Sequence, residues 1–530
     1  MKGNLLYTSL VLLMGCTAVA QNREAIKFSQ AINKDNAYKH LSVLASDEYE
    51  GRETGKKGGW MAADYIRAHF KALGLKGPVN GDYFQPIDMA YFNTSQILTL
   101  EGQPAEPLKD FYIMPAAVSL KGYAFNSEHI LFAGYGLKNE GYNDYEGQDV
   151  AGKVVMIFKT AEPSGAAAAK KTGENINSRI KYLTDQKAKA ILVIDPVVDN
   201  LPDNLKNYLQ SGQMLMKTKE NLDRMNLTQS TLVIYIGTSL ANQIFKAAKT
   251  TLDAVKKKLT DTGKPASQVI TTAITASAQK TETKVRAENV LGYMEGSDPK
   301  LKKEVLVITA HYDHIGITPE AKGADKINNG ADDDGSGTTG VLMIAEAFSK
   351  AKRAGKGPKR SILFMTVTGE EKGLLGSEWY SEYPVFPLAN TITNLNIDMI
   401  GRGDAAHASD NNFVYIIGSD MLSTDLDRIG KKANKDYVKL TLDERYNNRT
   451  DPNRFYYRSD HYNFAKHGIP VIFYFNGVHE DYHQPGDELS KIDFPMLAKR
   501  ARLVYFTAWE LANGAKRPAV DKNEDGTKKK

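Results

Sequence analysis

His311, Glu371, Asp398 and His483, with one carboxylate from the run Asp332-Asp333-Asp334, are the side chains whose types and placement could do chemistry together. Each sits in or beside a turn that follows an apolar stretch. Two imidazoles and three carboxylates form a borderline-to-hard donor set that suits zinc, with charge enough for two ions. Glu370 stands directly before Glu371. A free carboxylate beside a ligand carboxylate is what a hydrolase needs to take a proton from attacking water.

The neighbours of these residues sharpen the set. Asp313 follows His311 by two positions. Strand alternation points both the same way, so Asp313 is expected to accept the second ring proton of His311 and fix its tautomer. His314 has no such company and reads as structural. The acidic run leads into a helix, where one or two carboxylates commonly cap the helix and offset its dipole. The third is then free to bridge two cations, and the spacing leaves open which one it is. Adjacent Glu370 and Glu371 repel each other, a cost that nearby cations remove. Asp398 ends a buried strand and needs a partner there. For His483 the competitor is His479, four residues earlier.

Positioning these groups falls to alternating strands and helices from Asn289 onward. Apolar runs at 304–310, 361–368, 393–397, 413–417 and 470–475 predict strands; 337–351, 374–380, 422–433 and 495–511 predict helices. The alternation argues for α/β architecture, a mostly parallel central sheet flanked by helices, with ligands beyond the carboxyl ends of the strands. Helical spacing at 37–45 and 59–73, separated by a polar loop, forms a preface. The stretch from about 127 to 270 differs in texture. Short β-rich runs (129–134, 154–158, 190–194 and 231–236) alternate with Gly/Lys/Ala-rich segments, and His129 is its one histidine. It reads as an inserted, non-catalytic α/β domain, with 165–171 as a surface loop or helix start.

The order His-x-Asp, Gly-Ala-Asp-Asp-Asp-Gly-Ser-Gly, Glu-Glu-x-Gly-Leu-Leu-Gly-Ser, Asn-x-Asp-Met and Tyr-His resembles the dizinc aminopeptidase family. That family includes bacterial leucyl aminopeptidases and, more distantly, glutamate carboxypeptidases and glutaminyl cyclases. The resemblance implies a catalytic domain over 22–125 and 285–512, with a protease-associated domain inserted at 126–272 and a polar tail at 513–530. It implies that His311, Asp333, Glu371, Asp398 and His483 hold two zinc ions, and so selects Asp333 as the bridge. By the same resemblance Asp313 orients His311, Glu370 is the general base, and Tyr456 stabilises the tetrahedral intermediate. Asp460 and His461 are expected to be structural. The implied function is an exopeptidase that removes N-terminal residues from peptides. The rivals are a glutamate-carboxypeptidase-type enzyme using an arginine such as Arg402, Arg454 or Arg458, a glutaminyl cyclase, and a degenerate binding protein.

Composition narrows the context. With 530 residues, two or three domains are expected; 42% hydrophobic and 25% charged residues suit a globular protein. A net charge of +5, partly in the terminal Lys528-Lys529-Lys530, makes no case for nucleic acid. Lys2, the apolar stretch 5–14 and Ala18-Val19-Ala20 have the form of a cleavable signal peptide over residues 1–20, and no stretch is long enough for a transmembrane span. Export to the periplasm or medium is expected; the alternative is a lipoprotein anchored through Cys16 in Leu13-Met14-Gly15-Cys16. Cys16 is the only cysteine, so the mature chain has no disulfide. Side-chain preference and oligomeric state are not set by the sequence.

Overall fold

The computed structural model describes residues 22–160, 175–226 and 231–529. Residues 1–20, expected to be a signal peptide, with Cys16 among them, and the 165–171 segment lie outside the described residues. The chain divides into two compact units, Met1–Ile87 with Arg286–Lys530, and Asp88–Val285.

The first unit is built on a mixed sheet whose strands, in chain order, are β1 (Phe84–Pro86), β2 (Glu288–Met294), β3 (Val305–His311), β4 (Ser361–Val367), β5 (Thr391–Ile397), β6 (Phe413–Ile417), β7 (Thr441–Asp443) and β8 (Val471–Phe475). Their spatial order among the described residues is β1-β2-β4-β3-β5-β8-β6-β7. The central four, β4, β3, β5 and β8, are parallel. Antiparallel neighbours flank them, β2 on one side and β6 on the other.

Each of the central strands is buried along its whole length. That is why they read as continuous apolar runs without polar alternation. On β3, Leu306 and Ile308 join one apolar cluster, and Val305 and Val307 join another that includes Phe413 and Phe473. Alternate residues thus bury on opposite faces of the sheet. Four helices matter below: α1 (Lys34–Leu44), α2 (Lys57–Ala72), α3 (Gly337–Arg353) and α4 (Phe494–Asn513). Helix α4 buries Leu497, Leu503, Val504 and Trp509 in the first cluster, each worth about 1.5–3 kcal/mol if fully removed from water.

The polar C-terminal stretch is hydrogen-bonded to other parts of the first unit. Arg517 Nη2 donates to the Thr391 carbonyl at 2.8 Å, Thr424 N donates to Asp521 Oδ1 at 2.9 Å, and Lys522 Nζ reaches Asp420 Oδ2 at 2.9 Å.

The second unit has its own sheet, ordered Gln213–Met216, Met89–Leu100, Gln268–Val285, Tyr123–Phe132, Val154–Phe158, Ala190–Ile194, Leu232–Ile236 and Phe111–Tyr112. Its boundary falls outside the expected 126–272: residues 88–125, read from sequence as catalytic, belong to it. Met89–Leu100 pairs antiparallel with Gln268–Val285 from Met89↔Val285 to Leu100↔Ile274. This long ladder locks both flanks of the insertion into one sheet. The four short runs expected within it are strands. No helix among the described residues is long and apolar enough to cross a membrane.

Candidate active site

Four turns at the carboxyl ends of the parallel strands and the segment before α3 bring the five ligand residues together. His311 is the last residue of β3, Asp398 follows β5, Glu370 and Glu371 follow β4, and His483 lies in the turns after β8. His311 Nε2 lies 3.3 Å from Asp333 Oδ1 and 3.5 Å from Asp398 Oδ1. His483 Nε2 lies 3.2 Å from Asp333 Oδ2 and 3.1 Å from Glu371 Oε2. Asp333 therefore presents one oxygen to each of two neighbouring donor triads. His483 Nε2 is buried and has no aligned hydrogen bond among the described residues. Two nitrogens converging on three carboxylates is a donor chemistry that fits two zinc ions.

The structure also separates the three aspartates of the run. Asp332 Oδ1 accepts from Gly401 N at 2.6 Å and Ser336 Oγ at 2.9 Å, while Oδ2 accepts from Asn476 Nδ2 at 3.0 Å. Asp334 accepts three backbone N–H groups, from His311, Gly337 and Met399, at 2.9–3.1 Å. Asp334 also lies close to His311 and Asp398, but its oxygens are committed to the backbone. Of the three, Asp333 is the one whose carboxylate faces both His311 and His483. His479 Nε2 sits 3.3 Å from Asp332 Oδ2 and joins neither triad, which resolves the choice between His479 and His483.

A fixed scaffold holds Asp333. Arg52 is fully buried, and its guanidinium donates to the carbonyls of Tyr312, Leu44, Asn329 and Gly330 at 2.6–2.8 Å. Asp487 accepts the backbone N–H groups of Asp332 and Asp333 at 3.0 Å. Gly330 has φ +54°, and a Cβ there would meet Asp333 O at 2.3 Å, so the turn excludes a side chain. His483 itself has φ +56°, a strained value for a non-glycine residue of the kind that gathers at functional sites. Neither Arg52 nor Asp487 is signalled by a local motif.

Two expected supporting roles are corrected. The His311 Nδ1 partner is the Asp313 main-chain carbonyl at 3.0 Å, whereas the Asp313 carboxylate is 3.7 Å away. That carboxylate instead accepts Thr54 Oγ at 2.7 Å and Glu370 N at 3.3 Å, so it places the Glu370 backbone. His314, read as structural, does touch the site: its Nδ1 lies 2.8 Å from Glu371 Oε1 and holds the ligand oxygen opposite His483. Ser459, which the sequence reading gave no role, donates to Asp398 Oδ2 at 2.6 Å and leaves Oδ1 toward His311.

A cleft opens beside the triads. Asp333, Glu370 and Asp398 form its polar end; Met399, Phe455, Phe473, Phe475 and Val478 form an apolar wall; Arg458 and Tyr482 complete the lining. Tyr456 lies outside that lining. It is 5% exposed and packs edge-on to Tyr457 in an aromatic cluster. The tyrosine on the cleft is Tyr482, stacked on His483 at 3.9 Å between centroids. Asp460 accepts from Ser377 Oγ at 2.5 Å, and His461 stacks on Phe473. Both keep the structural reading.

Electrostatics follow from the surplus of carboxylates. Burial works against charge on His483, but the close carboxylates of Asp333 and Glu371 outweigh that and lift its pKa to about 10. His311 is likewise raised, burial being overcome by Glu370 and Asp398. Burial pushes Glu370 well above the usual carboxylate range, and Glu371, Asp398 and Asp460 add to the shift. Bound cations would reverse this last effect and leave Glu370 ionised.

Residues 289–508, which carry every one of these ligands, match the model of peptidase family M28. The chain is 30% identical over 244 residues to a protein of Arthroderma otae named "Probable leucine aminopeptidase", covering 45% of this chain and 61% of that one. It is 28% identical over 281 residues to a "Probable zinc metalloprotease" of Pyrenophora teres f. teres, covering 45% and 54%. It thus spans little more than half the length of the curated relatives it matches. Among solved structures, an aminopeptidase from Aneurinibacillus sp. strain AM-1 is similar at 18% identity, with 94% of this chain and 98% of that one covered and a TM-score of 0.48. The match and the ligand cluster it encloses point the same way: residues 289–508 resemble a peptidase family M28 domain.

Proposed function

We propose that the protein is an exported, zinc-dependent aminopeptidase. The observation that carries the reading is Asp333, which offers Oδ1 to the His311–Asp398 triad and Oδ2 to the Glu371–His483 triad. Two zinc ions held by these residues would supply Lewis acidity toward the scissile carbonyl and toward water. Glu370, at the polar end of the cleft, takes the proton of the attacking water and delivers it to the leaving amine. The Asp313 carbonyl, Ser459 and His314 orient His311, Asp398 and Glu371, so the reacting groups are placed before substrate arrives. The apolar wall of Met399, Phe455, Phe473, Phe475 and Val478 receives the side chain of the first residue. An apolar N-terminal residue such as leucine suits it, in keeping with the names of the relatives.

A second reading has one observation in its favour. Arg458 lies on the cleft, where a guanidinium would suit a substrate carboxylate, and one relative is named "Probable glutamate carboxypeptidase". Arg402 is already paired with Asp481 and Glu480, and Arg454 lies over the Tyr457 ring, so neither competes. Arg458 is solvent-exposed, which weakens such a pair, and aminopeptidase is preferred. Incubating zinc-loaded protein with a peptide library and reading the products by mass spectrometry decides. Shortening from the N-terminus, apolar residues first, is expected; shortening from the C-terminus would favour the second reading.

The unit Asp88–Val285 is proposed to be a protease-associated domain acting on substrate choice. Export is proposed on Ala18-Val19-Ala20, with cleavage after Ala20. N-terminal sequencing of the mature protein tests it; a modified Cys16 at the start would replace it with the lipoprotein route.

A further inference from the structure

Outside the M28 ligand cluster, three helices of the first unit bring together His40 on α1, His69 on α2 and Glu346 on α3. One ligand-capable atom from each lies within 4.8 Å of the others. The two imidazoles meet edge to face, 4.6 Å between centroids and 77° between planes. Both Nε2 atoms are buried, and neither has a hydrogen-bond partner among the described residues. Two adjacent buried nitrogens without a partner are costly unless something occupies the space between them.

The remaining atoms of the cluster are spoken for in the way metal ligands usually are. His40 Nδ1 is bonded to Tyr65 Oη at 2.8 Å, which leaves Nε2 as the atom turned inward. The Leu342 backbone acts on His69 in the direction that raises its pKa, against the larger effect of burial. Glu346 Oε2 accepts one bond, from Asn36 Nδ2 at 2.7 Å, and Oε1 pairs with Lys350 at 2.7 Å, so each oxygen keeps a lone pair for a cation. Partners on the outer ring nitrogen are what fix tautomer and orientation in metal-bound histidines. Burial lowers the pKa of both histidines, His40 to about 3, with Lys39 adding to the effect. Both are neutral imidazoles at physiological pH, the form that coordinates.

We propose that His40 Nε2, His69 Nε2 and the Glu346 carboxylate form a further site for a divalent transition-metal cation of the zinc class, separate from the M28 ligand cluster. Two imidazoles and one carboxylate with a position left for water is a zinc-type donor set, and poor for calcium or magnesium. The ion cross-links α1, α2 and α3. Its role is to fasten α1 and α2, which precede the catalytic strands, to α3, which lies between β3 and β4 in the chain, and it shares no residue with the M28 cluster.

The test is zinc titration of the full chain, with bound metal counted by elemental analysis and native mass spectrometry, for wild type, His69→Gln, Glu346→Gln and Tyr65→Phe. Wild type should bind one ion more than His69→Gln or Glu346→Gln, with peptide hydrolysis unchanged in both. Tyr65→Phe should keep the ion but bind it about 10–100-fold more weakly, as loss of an outer partner does. Glu346 is only partly buried, so its variant serves if His69→Gln does not fold. Because the readout is a difference between wild type and variants, it stands whatever the stoichiometry at the M28 cluster. Equal zinc content in wild type, His69→Gln and Glu346→Gln would overturn the proposal and leave a buried polar contact between helices.

Discussion

The M28 cluster and the helical cluster use the same residue types and reach opposite electrostatic states. Around His311 and His483 stand Asp333, Glu370, Glu371 and Asp398, and the histidine pKa values rise. Around His40 and His69 the one carboxylate among the described residues that acts on both is Glu346, which already faces Lys350, and the histidine pKa values fall. Burial acts in the same direction on all four imidazoles. What differs is the number of unneutralised carboxylates within reach. Secondary structure differs too: the first cluster rides on turns after strands, with main-chain atoms free to approach, whereas the second projects from helices whose backbone is satisfied internally. A surplus of negative charge on turns is an arrangement for chemistry; a balanced set between helices is one for fastening.

The comparison breaks most easily at Glu370. Glu370→Gln should lower kcat/KM by about 10²–10⁴-fold while zinc content stays at the wild-type level, the outcome expected of a carboxylate proposed to handle a proton and not to hold metal. His69→Gln should leave kcat/KM unchanged. Near-normal turnover in Glu370→Gln would remove the proton-transfer role.

Arg52→Met probes the scaffold under Asp333. Losing a buried guanidinium that satisfies four carbonyls should cost about 3 kcal/mol or more in denaturant unfolding, and should loosen the M28 zinc sites with it. A loss below about 1 kcal/mol would show that the run 330–334 holds its shape without Arg52.

The pH dependence of zinc affinity should separate the two clusters. Binding at His483 displaces a proton held up to about pH 10, so affinity at the M28 cluster should rise with pH through the neutral range, about tenfold per unit for each proton displaced. His40 stays neutral down to about pH 3, so affinity at the helical cluster should be nearly flat between pH 6 and about pH 8. Chelator competition at the two pH values, in wild type and in His69→Gln, measures both slopes; equal slopes would contradict the electrostatic contrast.

Two smaller effects follow. Tyr482→Phe should change kcat/KM more than Tyr456→Phe, which should stay within about twofold of wild type because Tyr456 lies off the cleft. Joining Ile87 to Arg286 through a short turn should leave both clusters with their zinc. Ile87 N already donates to the Ala287 carbonyl at 2.9 Å, and neither cluster takes a residue from Asp88–Val285. Loss of zinc from the joined chain would show that the second unit supports a site after all.

Much of the fold could be read from the chain because local signals coincided with burial. The runs that became β3, β4, β5 and β8 are apolar throughout, since helices or loops cover both faces, and each ended within two residues of its expected limit. His311, Glu371 and Asp398 stood out because each ends or closely follows such a run. The Met89–Leu100 and Gln268–Val285 strands were not seen. Asn93-Thr94-Ser95-Gln96 and Lys280-Thr281-Glu282-Thr283 lack apolar alternation, and only the ladder between segments far apart in sequence makes them strands.

Within the site, the sequence by itself determined which residue types gather and in what order: a histidine and an acidic run, a Glu pair, an aspartate after a strand, and a late histidine. Tertiary structure alone decided which atoms do what. Asp332 and Asp334 are withdrawn from metal binding by Gly401, Asn476, Met399 and the His311 backbone, groups that lie far away along the chain. The same holds for the Asp313 carbonyl in place of its carboxylate, for His314 on Glu371, for Tyr482 in place of Tyr456, and for the meeting of His40 and His69 with Glu346. A hydrogen-bond partner is a matter of proximity and direction in space, and residue order constrains neither until the chain has packed.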